Sequence, residues 1–338
     1  MMHDHVTSPN GKMGFGLMRY GAAPVVVVID RSQAGNNLRE LTGIDCDAPI
    51  VGSVREALAY RPDTLIPAIA PAGGVLPADW MPEVKEGLNA GLSLLNGLHR
   101  PLERDPEFAP LVKPGRFIWD VRQEPRGLDN GTGASKDVSA KRVLIVGTDM
   151  AIGKMTVALE LDNLAKERGL RSKFIATGQI GIAIAGEGIA VDGVKIDYAS
   201  GAIEGMVLKH GNSHDILFVE GQGSVLHPAS SATLPLLRGS MPTHMILAHR
   251  AGQTSISRSA WVPIPPLNQV SKLYEDLAHA CGALPPAKVV GIALNTYGLS
   301  DEEAKQAVDL TAQETGLPTT DVIRFGSAPL LDAIMANP

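Results

Sequence analysis

Short apolar runs that end in a glycine or a polar residue alternate along most of the chain with amphipathic stretches of helical spacing. This pattern predicts strand followed by helix, repeated, and hence an α/β protein with parallel sheets wound on both sides. In the first part, PVVVVID over 24–30 reads as a buried strand ending in Asp30, and NNLRELTG as a helix. PIVG at 49–52 reads as a second strand, SVREALAYR as a helix capped by Ser53 with Glu56 three residues on, and DTLIPAIAP as a third strand running into Gly73 and Gly74. A ligand of such a sheet sits at the carboxyl ends of its strands, near Asp30, Arg31 and the APAGG turn. No GxGxxG turn follows the first strand, so no dinucleotide is assigned there.

Between Glu124 and Lys141 the chain turns polar and glycine-rich, without apolar periodicity, which predicts a linker or mobile loop. The expected organisation is a Rossmann-like domain over 1–125, a linker over 126–141 and a second domain over 142–338. In the second domain, strands are expected at 142–147, 172–177, 215–220, 243–248 and 288–294. Helices are expected at 153–168, 200–210, 268–281 and 301–315, the last capped at Ser300 and opening on acidic residues.

Composition narrows the class. A length of 338 residues favours two domains, and 44% apolar with 20% charged residues is ordinary for a soluble globular chain. The formal net charge of -6 gives no general attraction for nucleic acid or an anionic membrane, so an anionic ligand has to be held by local geometry. Cys46 and Cys281 are far apart and lack metal-ligand spacing, so neither a disulfide framework nor a metal site is expected. The N-terminus lacks an apolar h-region, and no apolar run approaches the ~18 residues a membrane span needs. A cytoplasmic enzyme, as a homo-oligomer, is the expectation.

The most informative stretch is VLIVGTDMAIGKMTVALEL, from Val143 to Leu161. It sets a loop with two glycines and a lysine between a strand and an amphipathic helix, the arrangement that cradles phosphate. Loop amides point inward, the helix N-terminus adds partial positive charge, and Lys154 reaches an outer oxygen. Gly147, Thr148, Asp149, Ala151, Ile152, Gly153, Lys154, Met155 and Thr156 are the candidate phosphate-binding residues. Relative to GxxxxGK[ST], one extra residue separates Gly147 from Gly153, and Met155 replaces the hydroxyl residue that holds Mg²⁺. A thioether is a poor ligand for a hard cation, so a phosphoryl-transfer site would have to use Thr156 or another oxygen.

Other constellations cluster at strand ends. DILFVEGQGS over 215–224 ends in Glu220, placed to hold a metal or accept a proton. The glycine-rich run from Phe174 to Val207 contains TGQIG, with Gln179, as a candidate site wall, and Asp197 at a helix start as a candidate carboxylate. His227, and His249 with Arg250, follow two strands; Arg250 and Arg258 offer planar forks for a substrate carboxylate. Asn295, ending VVGIALN, stands where many P-loop enzymes read a base edge.

The opening GTD and the EGxG segment are similar to dethiobiotin synthetase, whose loop reads GTDTxVGKT. Taken together, GTDxAxGKMT, TGQxG, the Asp197–Glu204 DxxxGAxE helix, VEGQGSxxHP and ALNT more closely resemble a bacterial two-domain family. That family was long labelled a domain of unknown function and includes a D-glutamate N-acetyltransferase; Met155 is shared with it. The resemblance covers most of the chain and implies a Rossmann-like N-terminal domain and a P-loop NTPase-like C-terminal domain. It also implies acetyl transfer from acetyl-CoA to a D-amino acid such as D-glutamate.

An amide-lined loop suits the pyrophosphate of coenzyme A, and thioester aminolysis needs no obligatory Mg²⁺. Glu220 or Asp197 is then the base, Lys154 with the loop amides binds phosphate or the oxyanion, and Arg250, His227 and Gln179 line the acceptor site. Two alternatives stay open: a ligase or kinase using ATP and Mg²⁺ through Lys154, Thr156 and Glu220, and a nucleotide-binding protein without turnover. The acceptor is a small carboxylate or amino acid under the first reading.

Overall fold

The computed structural model describes residues 1–70 and 73–337, which fall into two compact units. The first unit comprises Met1–Glu124 with Gly178–Gly193, and the second Pro125–Thr177 with Val194–Pro338. Of the APAGG turn, Pro71 and Ala72 lie outside the described residues.

The first unit contains α1 (Lys12–Tyr20), β1 (Val28–Ile29), α2 (Leu38–Thr42), β2 (Ile50–Val51), α3 (Val54–Ala57), β3 (Thr64–Leu65), α4 (Met81–Asn89), β4 (Ser93–Asn96) and β5 (Ile118–Asp120). β1 pairs with β2, and β3, β4 and β5 form a second sheet; every pair is parallel. The runs at 24–30 and 63–71 deliver only two paired residues each. Pro24 and Pro67 have no amide to donate, and β2 offers β1 only two partners. Val54, Trp80, Val84, Leu88, Leu94 and Phe108 are the centre of the core. Ser53 caps α3, as its spacing to Glu56 predicts.

Asp30 is not a ligand group. Its buried carboxylate accepts the amides of Asp4, Val6 and Ser32 and the Ser32 hydroxyl, so it orders the chain around the end of β1.

The second unit follows the doubly wound plan. Its elements are β6 (Lys141–Gly147), α5 (Lys154–Glu167) and β7 (Ser172–Ile175). After α6 (Gln179–Ala185), which belongs to the first unit, come α7 (Ile196–His210), β8 (Ile216–Val219), α8 (Thr233–Ser240) and β9 (His244–Arg250). A hairpin of β10 (Ser255–Ile256) and β11 (Ser259–Pro263) precedes α9 (Leu267–His279), β12 (Lys288–Asn295), α10 (Asp301–Thr315), β13 (Thr319–Thr320) and α11 (Ala328–Ala336). The six-stranded parallel sheet has the order β13-β12-β9-β6-β8-β7. β6, β8, β9 and β12 are buried almost throughout, as strands covered on both faces must be. Chain order reverses across β6, so the carboxyl ends of β6 and β9 border the crevice where such sheets bind ligands. Among the described residues no helix is long and apolar enough to cross a membrane.

Residues 126–141 are not a free linker. Glu204 of α7 accepts the Thr132 and Gly133 amides and the Thr132 hydroxyl, Ser135 donates to Gly239 O, and Arg142 donates to Val138 O and Ala140 O. Polar bonds hold a segment in which apolar periodicity is absent. Two glycines of the glycine-rich region serve packing: a Cβ on Gly193 would lie 2.0 Å from Arg122 O, and one on Gly201 1.8 Å from Asp129 O.

Candidate functional site

The loop from Thr148 to Gly153 joins β6 to α5, and its carbonyls are tied down by side chains from across the unit. Tyr274 of α9 donates to Gly147 O at 2.7 Å, Ser224 to Thr148 O at 3.0 Å, and Lys154 to Asp149 O at 2.7 Å. Arg250 approaches Ala151 O at 3.4 Å, Asn295 donates to Ile152 O at 3.0 Å, and the Val157 amide takes Gly153 O. With these carbonyls engaged outward, the amides are left for another purpose. Among the described residues no acceptor takes the amide hydrogens of Ala151, Ile152, Gly153, Lys154, Met155 or Thr156. Ala151 (φ 54°) and Gly153 (φ 107°) have left-handed backbone, the alternation that gathers successive N–H groups into an anion nest. The first turn of α5 adds the positive end of its dipole.

Lys154 is buried, and its stem runs between two glycines. A Cβ on Gly147 would come 3.2 Å from the lysine Cδ, and one on Gly221 3.0 Å from the same atom. The glycines that end β6 and follow Glu220 therefore make room for the lysine. Burial lowers its pKa to about 8, against the opposing pull of the Asp149 and Glu220 charges.

Asp149 anchors the hairpin. Its buried carboxylate accepts the amides of Met150 (2.6 Å) and Ser257 (2.7 Å) and the Gln253 side chain (2.6 Å). Burial pushes this carboxyl up, but Ser257, Met150 and Gln253 together outweigh it and hold it below the ordinary aspartate range. His227 stands 4.0 Å away through Nε2, while its Nδ1 accepts the Ala229 amide. His249 Nδ1 pairs with Thr148 Oγ1 at 2.9 Å, and burial lowers its pKa to about 4, so this ring is neutral at physiological pH.

Glu220 is buried at the end of β8. Its Oε2 accepts the Thr177 amide, its Oε1 the Gln222 side chain, and its backbone carbonyl the Thr177 hydroxyl. Glu220, His227, Arg250 and Asn295 thus gather around the segment from Gly147 to Thr156.

Other expected site residues are placed differently. Asp197 is exposed in the first turn of α7, where it places a negative charge at the positive end of the helix. Gln179 opens α6 in the first unit, where its side chain lies against Gly97. Asn295 is held by the loop and its own strand end: its Nδ2 donates to Ile152 O and its Oδ1 accepts the Tyr297 amide. Arg258 is exposed at the tip of the hairpin. Among the described residues no three His, Cys, Asp or Glu side chains are grouped to hold a metal.

Tyr274, Ser224, Gln253 and Ser257 were not foreseen as loop contacts. Tyr274 lies at sequence separation 127 from its partner, and an apolar-faced helix gives no sign that one of its buried positions carries a hydroxyl aimed at a loop.

Comparison with known proteins agrees with this architecture. Residues 129–331 match the model of a P-loop domain of unknown function (DUF1611_C), and residues 31–124 that of a Rossmann-like domain (DUF1611_N). The chain is 34% identical over 288 residues to a D-glutamate N-acetyltransferase of Pseudoalteromonas sp, covering 84% of each chain. It is 34% identical over 286 residues to one of Tritonibacter scottomollicae, again covering 84% of each. A crystal structure of a DUF1611 family protein from Anabaena variabilis superposes with a TM-score of 0.94 at 54% identity, over 100% of this chain and 98% of that one.

Proposed function

The chain belongs to the DUF1611 family, which joins a Rossmann-like N-terminal domain to a P-loop C-terminal domain, and from that premise we propose that it is an N-acetyltransferase. In this reading it moves an acetyl group from acetyl-CoA to the amine of a D-amino acid such as D-glutamate. The names of its two relatives support the reaction class. The observation that carries the donor is the loop itself: a run of unengaged amides beside a buried lysine, which suits the pyrophosphate of coenzyme A. Met155 costs this reaction nothing, because no phosphoryl group is transferred.

The acceptor amine attacks the thioester carbonyl, an N–C bond forms, the C–S bond breaks, and coenzyme A leaves as its thiolate, which then takes up a proton. The ammonium of the incoming amino acid must first lose a proton, and Glu220 is the base: a buried carboxylate held in place by Thr177 and Gln222. Lys154, charged below about pH 8, faces the donor phosphates. The test is to mix the purified chain with acetyl-CoA and D-glutamate without ATP and to measure free thiol. Thiol release with formation of the N-acetyl product supports the reading. ADP or phosphate release that requires Mg²⁺ and ATP replaces it with a ligase or kinase.

A further inference from the structure

The carboxyl ends of β9 and β12 form a rim on one side of the loop. The two strands are neighbours in register, with Arg250 opposite Asn295, and the Ala251 amide donates to Asn295 O at 3.0 Å. Asn295 in turn holds both Ile152 O and the Tyr297 amide, so the backbone of Tyr297 is fixed two hydrogen bonds from the loop. Its ring nevertheless projects into solvent, 88% exposed.

Two arginines are tied to the same loop. Arg250 reaches the loop at Ala151 O, and Arg258 follows Ser257, whose amide holds Asp149. Among the described residues neither is ion-paired with a carboxylate, whereas Arg31, Arg171 and Arg324 each are. An aromatic face with two unpaired guanidinium groups is the equipment for a purine and a phosphate.

We infer that this rim binds the adenosine end of the donor, with Tyr297 stacking on the purine and Arg250 and Arg258 taking the ribose phosphate that coenzyme A carries and ATP lacks. The inference rests on the acetyl-CoA reading above and moves Arg250 from the acceptor to the donor. It also orders the donor along the sheet: adenosine at β9 and β12, pyrophosphate at the loop, and thioester towards Glu220 on the other side of β6.

The test is calorimetric titration of the whole chain with coenzyme A and with 3′-dephospho-coenzyme A, for the wild type, the double variant R250M/R258M, and Tyr297→Ala. All three side chains are exposed, and thermal melts confirm that the variants fold. The wild type is expected to prefer coenzyme A by at least about tenfold, the double variant to lose that preference to within about twofold, and Tyr297→Ala to weaken both ligands alike. Equal binding of the two ligands by the wild type, or a preference kept by the double variant, overturns the rim assignment and leaves the acetyl-CoA reading standing. Failure of the wild type to bind coenzyme A at all overturns both.

Discussion

The Lys154 ammonium donates to the backbone carbonyl of Asp149 at 2.7 Å, within the same loop whose Ala151, Ile152 and Gly153 amides no acceptor takes among the described residues. The lysine thus bonds to its own loop, and its stem lies in the space that Gly147 and Gly221 leave. A phosphate at the nest would exchange this neutral acceptor for a charged one, and the exchange favours the protonated amine.

That exchange has a pH signature. Burial lowers the Lys154 pKa to about 8, so the charge that attracts phosphate is fully present below that value and is lost as pH rises through it. Affinity for coenzyme A is expected to be level from pH 7 to 8 and then to fall by about tenfold per unit. Lys154→Met should bind weakly with no such break. Titrations at pH 7 to 9.5 check both curves, and a wild-type affinity that stays level to pH 9.5 removes the lysine from the site.

Glu220→Gln separates binding from turnover. The amide side chain keeps the shape of the carboxylate and one acceptor for the Thr177 amide, but it cannot take a proton. Coenzyme A binding should change by less than about threefold while turnover drops about 10²-fold or more. Equal losses in both would mark Glu220 as a structural support for the loop.

Tyr274→Phe tests the bracing of the loop carbonyls. It removes the donor to the buried Gly147 O and the acceptor of the half-buried Val225 amide. The expected cost is about 1–3 kcal/mol, read as a lower denaturation midpoint, with weaker coenzyme A binding. A variant as stable as the wild type would show that the loop does not depend on α9.

His249 predicts an acid weakness. Its pKa falls from 6.5 to about 4 in the folded chain because it is buried, so between these values the unfolded chain binds the extra proton. Stability is therefore full above pH 6.5 and falls as pH drops towards 4, by up to roughly 3 kcal/mol from this ring. His249→Gln should flatten that part of the stability profile, measured by urea unfolding at pH 7, 6 and 5.

The second unit was largely legible because its signals are local. Strand, glycine loop, lysine and helix lie within one stretch, Glu220 ends an apolar run, and the Ser300–Glu303 capping box appears as its spacing predicts. The braces were not legible, since Ser257 and Gln253 meet Asp149 across separations of 108 and 104 residues. Gln179 drew notice as a site wall because it stands between glycines in TGQIG. Only the fold reveals that the chain leaves the second unit at Gly178 and returns after Gly193. Asp197 stands exposed in the first turn of α7, where acids are common for dipole reasons alone.

The central claim is that the β6–α5 loop holds a phosphate-bearing acyl donor without a metal. Titration of the wild type and Lys154→Ala with acetyl-CoA in EDTA-treated buffer tests it most directly. Saturable one-site binding by the wild type, at least about tenfold weaker in the variant, is the predicted result. Wild-type binding of ATP with Mg²⁺ but not of acetyl-CoA would contradict it.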